Sequence, residues 1–337
     1  MIRLGLMKRF FDTVDAEWCS PVADQIASAW VGAGSDVRIL RASANIVCRV
    51  QSAGGRYFLR FNHASERTPE AIAGELAFIR HLSARGVRAA QALPSRTGRF
   101  VESLQTSLGL FHAVMFEALP GAHLEIDQLD GQGFARWGRS LAQLHLAARD
   151  FTPRDRPGWQ DWLNMAGAVL PAAESAVHRE LRDVKQALSN LAVGDSFGMI
   201  HFDYELDNIC WDGQTPYVLD FDDCGPHWFA ADIAFALRDL FQDRSSGINF
   251  EDERFQAFLG GYRMLRPISE ADLGQVALFL RWHNLVSFAR IARVLSGGPQ
   301  ADEPEWLQKL RRRLGGIQDG YRQEFEAHPL RSLETVW

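Results

Sequence analysis

His201-Phe202-Asp203-Tyr204-Glu205-Leu206-Asp207-Asn208, with Tyr217-Val218-Leu219-Asp220-Phe221-Asp222-Asp223 following it past Asp212-Gly213, decides how the rest of this chain is read. Two short apolar segments, Ile209-Cys210-Trp211 and Tyr217-Val218-Leu219, flank Asp212-Gly213-Gln214-Thr215-Pro216, a turn-forming composition that predicts a β-hairpin. If Trp211 pairs with Tyr217 across that loop, the same register sets Asn208 opposite Asp220. Directly opposed residues of an antiparallel pair share a face, with Cβ atoms roughly 5 Å apart. An amide oxygen and a carboxylate would then converge at the open end of the hairpin, a donor pair suited to Mg²⁺ with substrate phosphates completing its shell. Asp203 lies in the loop ahead of the hairpin, near the metal without being consumed as a ligand, and is placed to act as a base.

His-x-Asp-x4-Asn followed by a strand-end Asp resembles the catalytic loop and metal-binding aspartate of protein kinases. The match is closer to the aminoglycoside phosphotransferase and choline kinase-like family of the protein kinase-like superfamily, whose loop is His-Gly-Asp-x4-Asn and whose later segment is Ile-Asp-x-x-Asp. The resemblance covers about residues 36 to 290, with its specific motifs in residues 201 to 232. It implies an α+β, two-lobed kinase-like fold: an N-terminal antiparallel sheet with one main helix, and a larger, mostly helical C-terminal lobe. The lobes are expected over residues 1–115 and 123–337, with a hinge at 116–122. The resemblance further implies transfer of the γ-phosphoryl group of ATP or GTP to a hydroxyl, with Asp203 as catalytic base and Mg²⁺ held by Asn208 and Asp220. His201 and Asp232 are implied as supporting residues, Asp232 bracing the catalytic loop. Phe202 replaces the family's glycine and Tyr204-Glu205 follows the acid, so bulk is expected to narrow the cleft beside Asp203.

Each element alone has a plainer reading: His-x-Asp occurs in polar turns, Asp-Gly is a common hairpin turn, and Asp222-Asp223 reads as a solvated loop. Their coincidence carries the kinase-like reading. A metal-dependent hydrolase built on His201, Asp203, Asp207, Asp220 and His227 competes with it, as does a nucleotide-binding scaffold without transfer activity. The hydrolase set lacks a recognisable first-row metal spacing.

Composition agrees with a self-contained enzyme. At 337 residues, 47% hydrophobic and 23% charged, the chain has material for one large core or two lobes and is not disordered. A net charge of -6 with dispersed Lys and Arg leaves no electrostatic footprint for nucleic acid; the Arg311-Arg312-Arg313 trio reads as a solvated helix face. Cys19, Cys48, Cys210 and Cys224 are scattered without a Cys-x-x-Cys pair, so neither a zinc site nor a disulfide framework is expected and a reducing cytoplasm is. Acids at Asp12, Asp15 and Glu17 interrupt any secretory apolar core, and no run approaches the ~18 apolar residues of a membrane span.

Strand signals fill Asp36 to Asn62, with Gly54-Gly55 as a turn, and predict the start of an antiparallel sheet. Thr68-Pro69-Glu70 opens a helix that Gly86 closes, with Ile72, Leu76, Ile79 and Leu82 at helical spacing. Glu75 rides on that apolar face and needs a cationic partner. Arg60 is the candidate, and the resemblance places the pair where a strand lysine and a helix glutamate meet the nucleotide phosphates; the plain alternative is an exposed Arg60 and a Glu75 at the core border. Arginine keeps the charge but changes donor geometry. Arg41-Ala42-Ser43-Ala44-Asn45 resembles the family's Ser-x-Asn phosphate turn, with Ser43 and Asn45 its contacts, and on residues alone is equally an ordinary hairpin loop. His112 to Gly121 reads as a strand broken at Pro-Gly; the resemblance makes Phe116, Glu117 and Ala118 the adenine-contacting hinge.

Helical patterns follow from Phe134, over Trp159 to Leu191 with an interruption at Pro171, from Asp232 through Leu240 and Phe241, and over Asp272 to Leu295. His145 reads as a structural hydrogen-bonding residue. The acceptor is not fixed by the sequence: small molecules and protein Ser/Thr both stay open, given likeness to the homoserine kinase, bacterial stress-response kinase and spore-coat branches. Glu205, Asp207, Asp223, Asp239 and Asp243 would make an acidic rim for a cationic acceptor, or simply a solvated surface.

Overall fold

The computed structural model describes residues 2–32, 34–240, 249–299 and 302–330. Phe241 and Asp243 lie outside the described residues. Helices α1 (Leu4–Phe11) and α2 (Pro21–Ala27) precede β1 (Asp36–Ala42), β2 (Ile46–Ser52) and β3 (Gly55–His63), then α3 (Pro69–Ala84), β4 (Ala92–Leu93), β5 (Glu102–Thr106) and β6 (Gly109–Glu117). These strands form one antiparallel sheet in the order β1-β2-β3-β6, with β4 and β5 both paired to the free edge of β6. Period-two alternation explains it: Ile46, Cys48 and Val50 of β2 and Leu59 and Phe61 of β3 turn to one face, where they bury against Phe10 of α1 and Val22 and Ile26 of α2. At roughly 1.5–3 kcal/mol for each large apolar side chain buried, this face is what holds the two N-terminal helices to the sheet.

Thr68 caps α3 by accepting from the Ala71 amide, and Pro69 sits at its first turn. The apolar stripe of α3, Ile72, Leu76, Ile79 and Leu82, joins the core of the second half of the chain rather than the N-terminal cluster. α3 thus packs between the sheet and everything that follows.

The second half is mostly helical: α4 (Gly131–Ala148), α5 (Trp159–Val169) and α6 (Ser175–Ser189), then the short strands β7 (Phe197–Ile200), β8 (Ile209–Asp212), β9 (Thr215–Val218) and β10 (Gly225–Trp228), then α7 (Phe229–Ala236), α8 (Glu253–Arg263), α9 (Glu270–Leu273), α10 (Val276–Leu295) and α11 (Glu305–Ala327). Pro171 falls in the break between α5 and α6, as its missing N–H requires. α7 begins at Phe229, so Asp232 lies in its first turn and not at its start. α4 and α8 cross with backbones almost touching: a Cβ on Gly138 would overlap the Phe258 carbonyl, and one on Gly261 the Ala135 carbonyl. No helix among the described residues is long and apolar enough to cross a membrane. All four cysteines are unpaired.

The hairpin forms, but its register is one residue tighter than the sequence suggests. Asp212 pairs with Thr215, Trp211 with Pro216, Cys210 with Tyr217 and Ile209 with Val218. The five-residue loop contracts to Gly213-Gln214 because Gly213 takes a left-handed conformation (φ 59°). Pro216 enters the strand without loss, since Trp211 opposite it spends its own N–H and carbonyl on Ala122 instead. Asn208 therefore faces Leu219, whose amide donates to the Asn208 carbonyl (3.0 Å), and not Asp220.

Candidate active site

The loop from His201 to Asn208 joins β7 to β8 and is held from beneath by Asp232. One Asp232 carboxylate oxygen accepts from the His201 amide (2.8 Å) and from His145 Nε2 (3.0 Å); the other accepts from the Phe202 amide (2.8 Å). Asp232, His145 and His201 are fully buried. Burial holds His145 below the usual imidazole range, and its Nδ1 faces the Tyr262 hydroxyl at 2.8 Å. His201 spans the hairpin, donating from Nε2 to the Leu219 carbonyl (3.0 Å) and accepting the Asp203 amide on Nδ1 (3.3 Å). Those bonds fix its tautomer.

Phe202 adopts φ 78°, the left-handed region that glycine enters freely. Its ring does not narrow the cleft beside Asp203. It is buried among Trp162, Phe235 and Trp282 at ring separations of 5.3–5.8 Å. Tyr204 is buried as well, its hydroxyl donating to Ser140 Oγ (2.8 Å). The expected crowding at these positions is thus turned into the core.

Asp203 is the exposed member of the group, its side chain 42% accessible. Asn208 is buried and its Nδ2 donates to the Asp203 carbonyl (2.9 Å) and to Asp203 Oδ2 (3.1 Å). Asn208 Oδ1 is buried with no partner. A buried amide oxygen left unpaired carries a desolvation cost of about 1–3 kcal/mol, which a cation in that position would remove. Asp220 lies two residues past the end of β9 in a left-handed conformation (φ 62°), not in strand pairing with Asn208. Its carboxylate meets Arg41 Nη2 at 2.7 Å and Arg60 Nη1 at 3.5 Å. Amide and carboxylate oxygens are the donors a hard divalent cation prefers, so this set fits the implied metal. Among the described residues there is no group of three or more His, Cys, Asp and Glu able to hold one.

Arg60 and Glu75 form an end-on bidentate pair, Nη1 to Oε1 at 2.8 Å and Nη2 to Oε2 at 2.6 Å, both buried. Burial opposes the Arg60 charge, but Glu75, Asp222 and Asp220 outweigh it and raise its pKa further. The guanidinium sits over the Phe116 ring at 5.2 Å. Arg60 and Phe116, but not Glu75, border a cavity of about 410 Å³ between the sheet and the hairpin. Val47, Phe58, Ile79, Cys210 and Leu219 give it apolar walls, and Glu117, Ala118, Asp207 and Asp220 also line it. Ser43 and Asn45 close the turn between β1 and β2, the Ser43 amide donating to the Asn45 carbonyl (3.0 Å). Neither borders the cavity, whereas Leu40 and Arg41 do; Asn45 is buried with its Oδ1 unpartnered.

The hydrolase constellation does not assemble. His227 is buried in an aromatic cage of Phe235, Phe279 and Trp282, and burial pulls its pKa down to about 3. Two acids of the expected rim, Glu205 and Asp223, are paired with arginines that sequence reading missed. Arg238 contacts Asp203 (3.5 Å) and pairs with Glu205. Arg67 pairs with Asp222 (2.8 Å) and Asp223 (2.6 Å), and Arg290 with Asp223 (2.7 Å). Burial pushes the Asp222 and Asp223 carboxyls up, yet these guanidinium groups hold both below the usual carboxylate range. Arg156 ties the loop after Asp220 to α3, donating to the Cys224, Asp222 and Ala71 carbonyls. The signal that could have found them is the Asp222-Asp223 doublet: adjacent acids next to apolar residues need cations from elsewhere in the chain.

The model of the phosphotransferase enzyme family (APH) matches residues 37–268. Amicoumacin kinase of Bacillus subtilis is 25% identical over 302 residues, covering 85% of this chain and 89% of that protein. A homoserine kinase of Xanthobacter autotrophicus is 27% identical, covering 78% and 83%. The solved structure of an amicoumacin kinase in complex with AMP-PNP, Ca²⁺ and Ami superposes with a TM-score of 0.76 at 23% identity, over 96% of both chains.

Proposed function

The chain belongs to the phosphotransferase enzyme family and is an ATP-dependent kinase acting on a hydroxyl acceptor; from that premise we propose that Asp203 is its catalytic base and that Asn208 and Asp220 hold its Mg²⁺. Residues 1–115 serve as the nucleotide lobe, 116–122 as hinge and 123–337 as the catalytic lobe. Adenine lies against Phe116 to Ala118. Arg60, oriented by Glu75, meets the nucleotide phosphates, with the Ser43 to Asn45 turn covering them.

The acceptor hydroxyl approaches the exposed carboxylate of Asp203, which aligns its oxygen with the γ-phosphorus and takes its proton as the new O–P bond forms and the bond to the ADP oxygen breaks. Asn208 keeps that carboxylate aimed, and Asp232 keeps the loop beneath it rigid. Asn208 and Asp220 would hold the divalent cation, which would supply charge stabilisation to the phosphates. Such a reaction needs chiefly positioning and charge compensation, which is why a short list of side chains suffices.

The observation that carries this reading is the division of labour in Asn208: its nitrogen holds Asp203, and its buried oxygen has no partner. The test is Asp203→Asn with an acceptor panel read by ADP formation and ATP binding read by thermal shift. Transfer should fall by about 10²–10⁴-fold while the ATP- and Mg²⁺-dependent shift persists. Transfer at the normal rate overturns the assignment.

A further inference from the structure

A second cavity, of about 130 Å³, lies outside the nucleotide cleft. Ala44 of the β1–β2 turn borders it on one side, and Trp162, Met165 and Val169 of α5 on another. Arg67, Arg290 and Arg293 converge on it from the β3–α3 loop and from α10. Arg290 stands over the Trp162 ring at 4.3 Å and near the Phe202 ring at 5.5 Å. Phe202 immediately precedes Asp203. The cavity is thus bordered by Ala44 of the turn proposed to cover the phosphates, and one of its arginines, Arg290, reaches the ring of the residue before the proposed base.

Its arginines are balanced by carboxylates, but their donors are underused. The lining holds three arginines against Glu66 and Asp223. Among the described residues each of these arginines is hydrogen-bonded through Nη2 alone: Arg67 to Asp222 and Asp223, Arg290 to Asp223, and Arg293 to Glu66 (2.6 Å). Their Nε and Nη1 groups are left as further donors. The carboxylates thus fix the orientation of the guanidinium groups and do not exhaust them. Planar guanidinium forks match carboxylate and phosphate oxygens. A cavity of about 150 Å³ holds a benzene-sized molecule, so this one accommodates an acidic group with a short aliphatic arm. Met165 is half exposed and Val169 partly so, which gives the mouth an apolar lip.

We propose that this cavity is the acceptor subsite and that Arg67, Arg290 and Arg293 select an acceptor whose hydroxyl is carried on a small molecule ending in an oxyanion, a carboxylate or a phosphate. The inference rests on the kinase reading for the place of the hydroxyl, but not for binding of the acid. It points away from the cationic acceptor that the acid-rich sequence around Asp203 suggests, because Glu205 and Asp223 of that rim are already paired with arginines.

The experiment uses the full chain with glycerate, 4-hydroxybutyrate and homoserine, each against its carboxamide, and glycerol 3-phosphate against glycerol. Binding of each compound alone is read by calorimetry, and transfer by ADP formation. The expected result is a preference of about tenfold or more in kcat/KM for at least one anion over its neutral partner, the size of a charge-assisted hydrogen bond. Arg290→Lys, which keeps the charge near Asp223, and Arg293→Gln should each raise KM for the anion more than kcat falls, shrinking that preference. Carboxylates or the phosphate ester taking the lead identifies which oxyanion is read. Equal use of acids and neutral partners, or preferences untouched in both variants, overturns the proposal. Acids that bind through Arg290 and Arg293 without any phosphoryl transfer would overturn the acceptor role of the cavity and leave only an oxyanion site standing.

Discussion

Asn208 donates to both the main-chain carbonyl and the carboxylate of Asp203, at 2.9 and 3.1 Å, and leaves its remaining buried oxygen without a hydrogen-bond partner. One side chain thereby couples the aim of the proposed base to the proposed cation. Replacing Asn208 should harm both functions at once, whereas replacing Asp203 should harm only one. Asp203→Asn is expected to lower kcat by about 10²–10⁴-fold, the usual worth of a positioned proton acceptor, with KM for ATP nearly unchanged. Asn208→Ala should lower kcat and also raise the Mg²⁺ concentration for half-maximal rate. Steady-state kinetics with Mg²⁺ titrations check this, and an Asn208→Ala enzyme with normal Mg²⁺ dependence would refute the metal assignment.

The buried Arg60–Glu75 pair yields a stability prediction that does not depend on activity. Both partners are almost inaccessible and joined by two parallel bonds. Removing one leaves an uncompensated buried charge, which costs about 3–5 kcal/mol. Glu75→Ala and Arg60→Ala should each destabilise by that order in urea unfolding. The double variant should recover part of the loss, since no lone charge remains. A double variant whose loss equals the sum of the single losses would show that the pair contributes no coupling.

How far the sequence carried can be judged from the same residues. Arg60 with Glu75 was legible because an acid on an apolar helix stripe demands a cation, and the catalytic loop was legible because its polar residues recur at fixed spacing. The hairpin register was not: whether five residues loop out or two suffice depends on Gly213 turning left-handed and on Ala122 taking the Trp211 bonds. Nor were Arg67, Arg238 and Arg290, whose partners lie far away in the chain for Arg67 and Arg290 and on the far side of α7 for Arg238. Spacing reports local pairing, and these contacts are made only when the helices assemble.

Phe202 sets two effects against each other at one position. Its left-handed backbone costs about 1–2 kcal/mol for a side chain with a Cβ, while its buried ring packs against Trp162, Phe235 and Trp282. Deleting a buried Phe costs about 3–5 kcal/mol, so burial wins and the wild-type residue should be the most stable. Phe202→Ala keeps the strain and loses the ring; Phe202→Gly loses both. Glycine should therefore be less damaging than alanine here by about 1 kcal/mol, the reverse of the order in a helix or strand. Chemical denaturation of the two variants decides it, and alanine proving the more stable would remove backbone strain from the account.

His227 gives a pH prediction with a definite sign. Burial in its aromatic cage lowers its pKa from 6.5 to about 3, so the native state keeps the ring neutral where the unfolded chain protonates it. Between those values the unfolded state binds more protons, and stability must fall as pH falls, by up to about 1.4 kcal/mol per pH unit from this group. Above the unfolded pKa the effect is absent. His227→Asn keeps an acceptor for the Trp228 amide, which now donates to His227 Nδ1 at 2.9 Å, and cannot take up a proton in this range. It should be less stable than wild type at pH 8, where only lost ring packing counts. That deficit should narrow steadily as the pH is lowered from about 6.5 toward 4, because the other titrating groups are common to both proteins and cancel in the difference. Urea unfolding at pH 8, 6, 5 and 4 measures it. A deficit constant across that series would mean that His227 is protonated equally in both states, and that the cage does not exclude water as its burial implies.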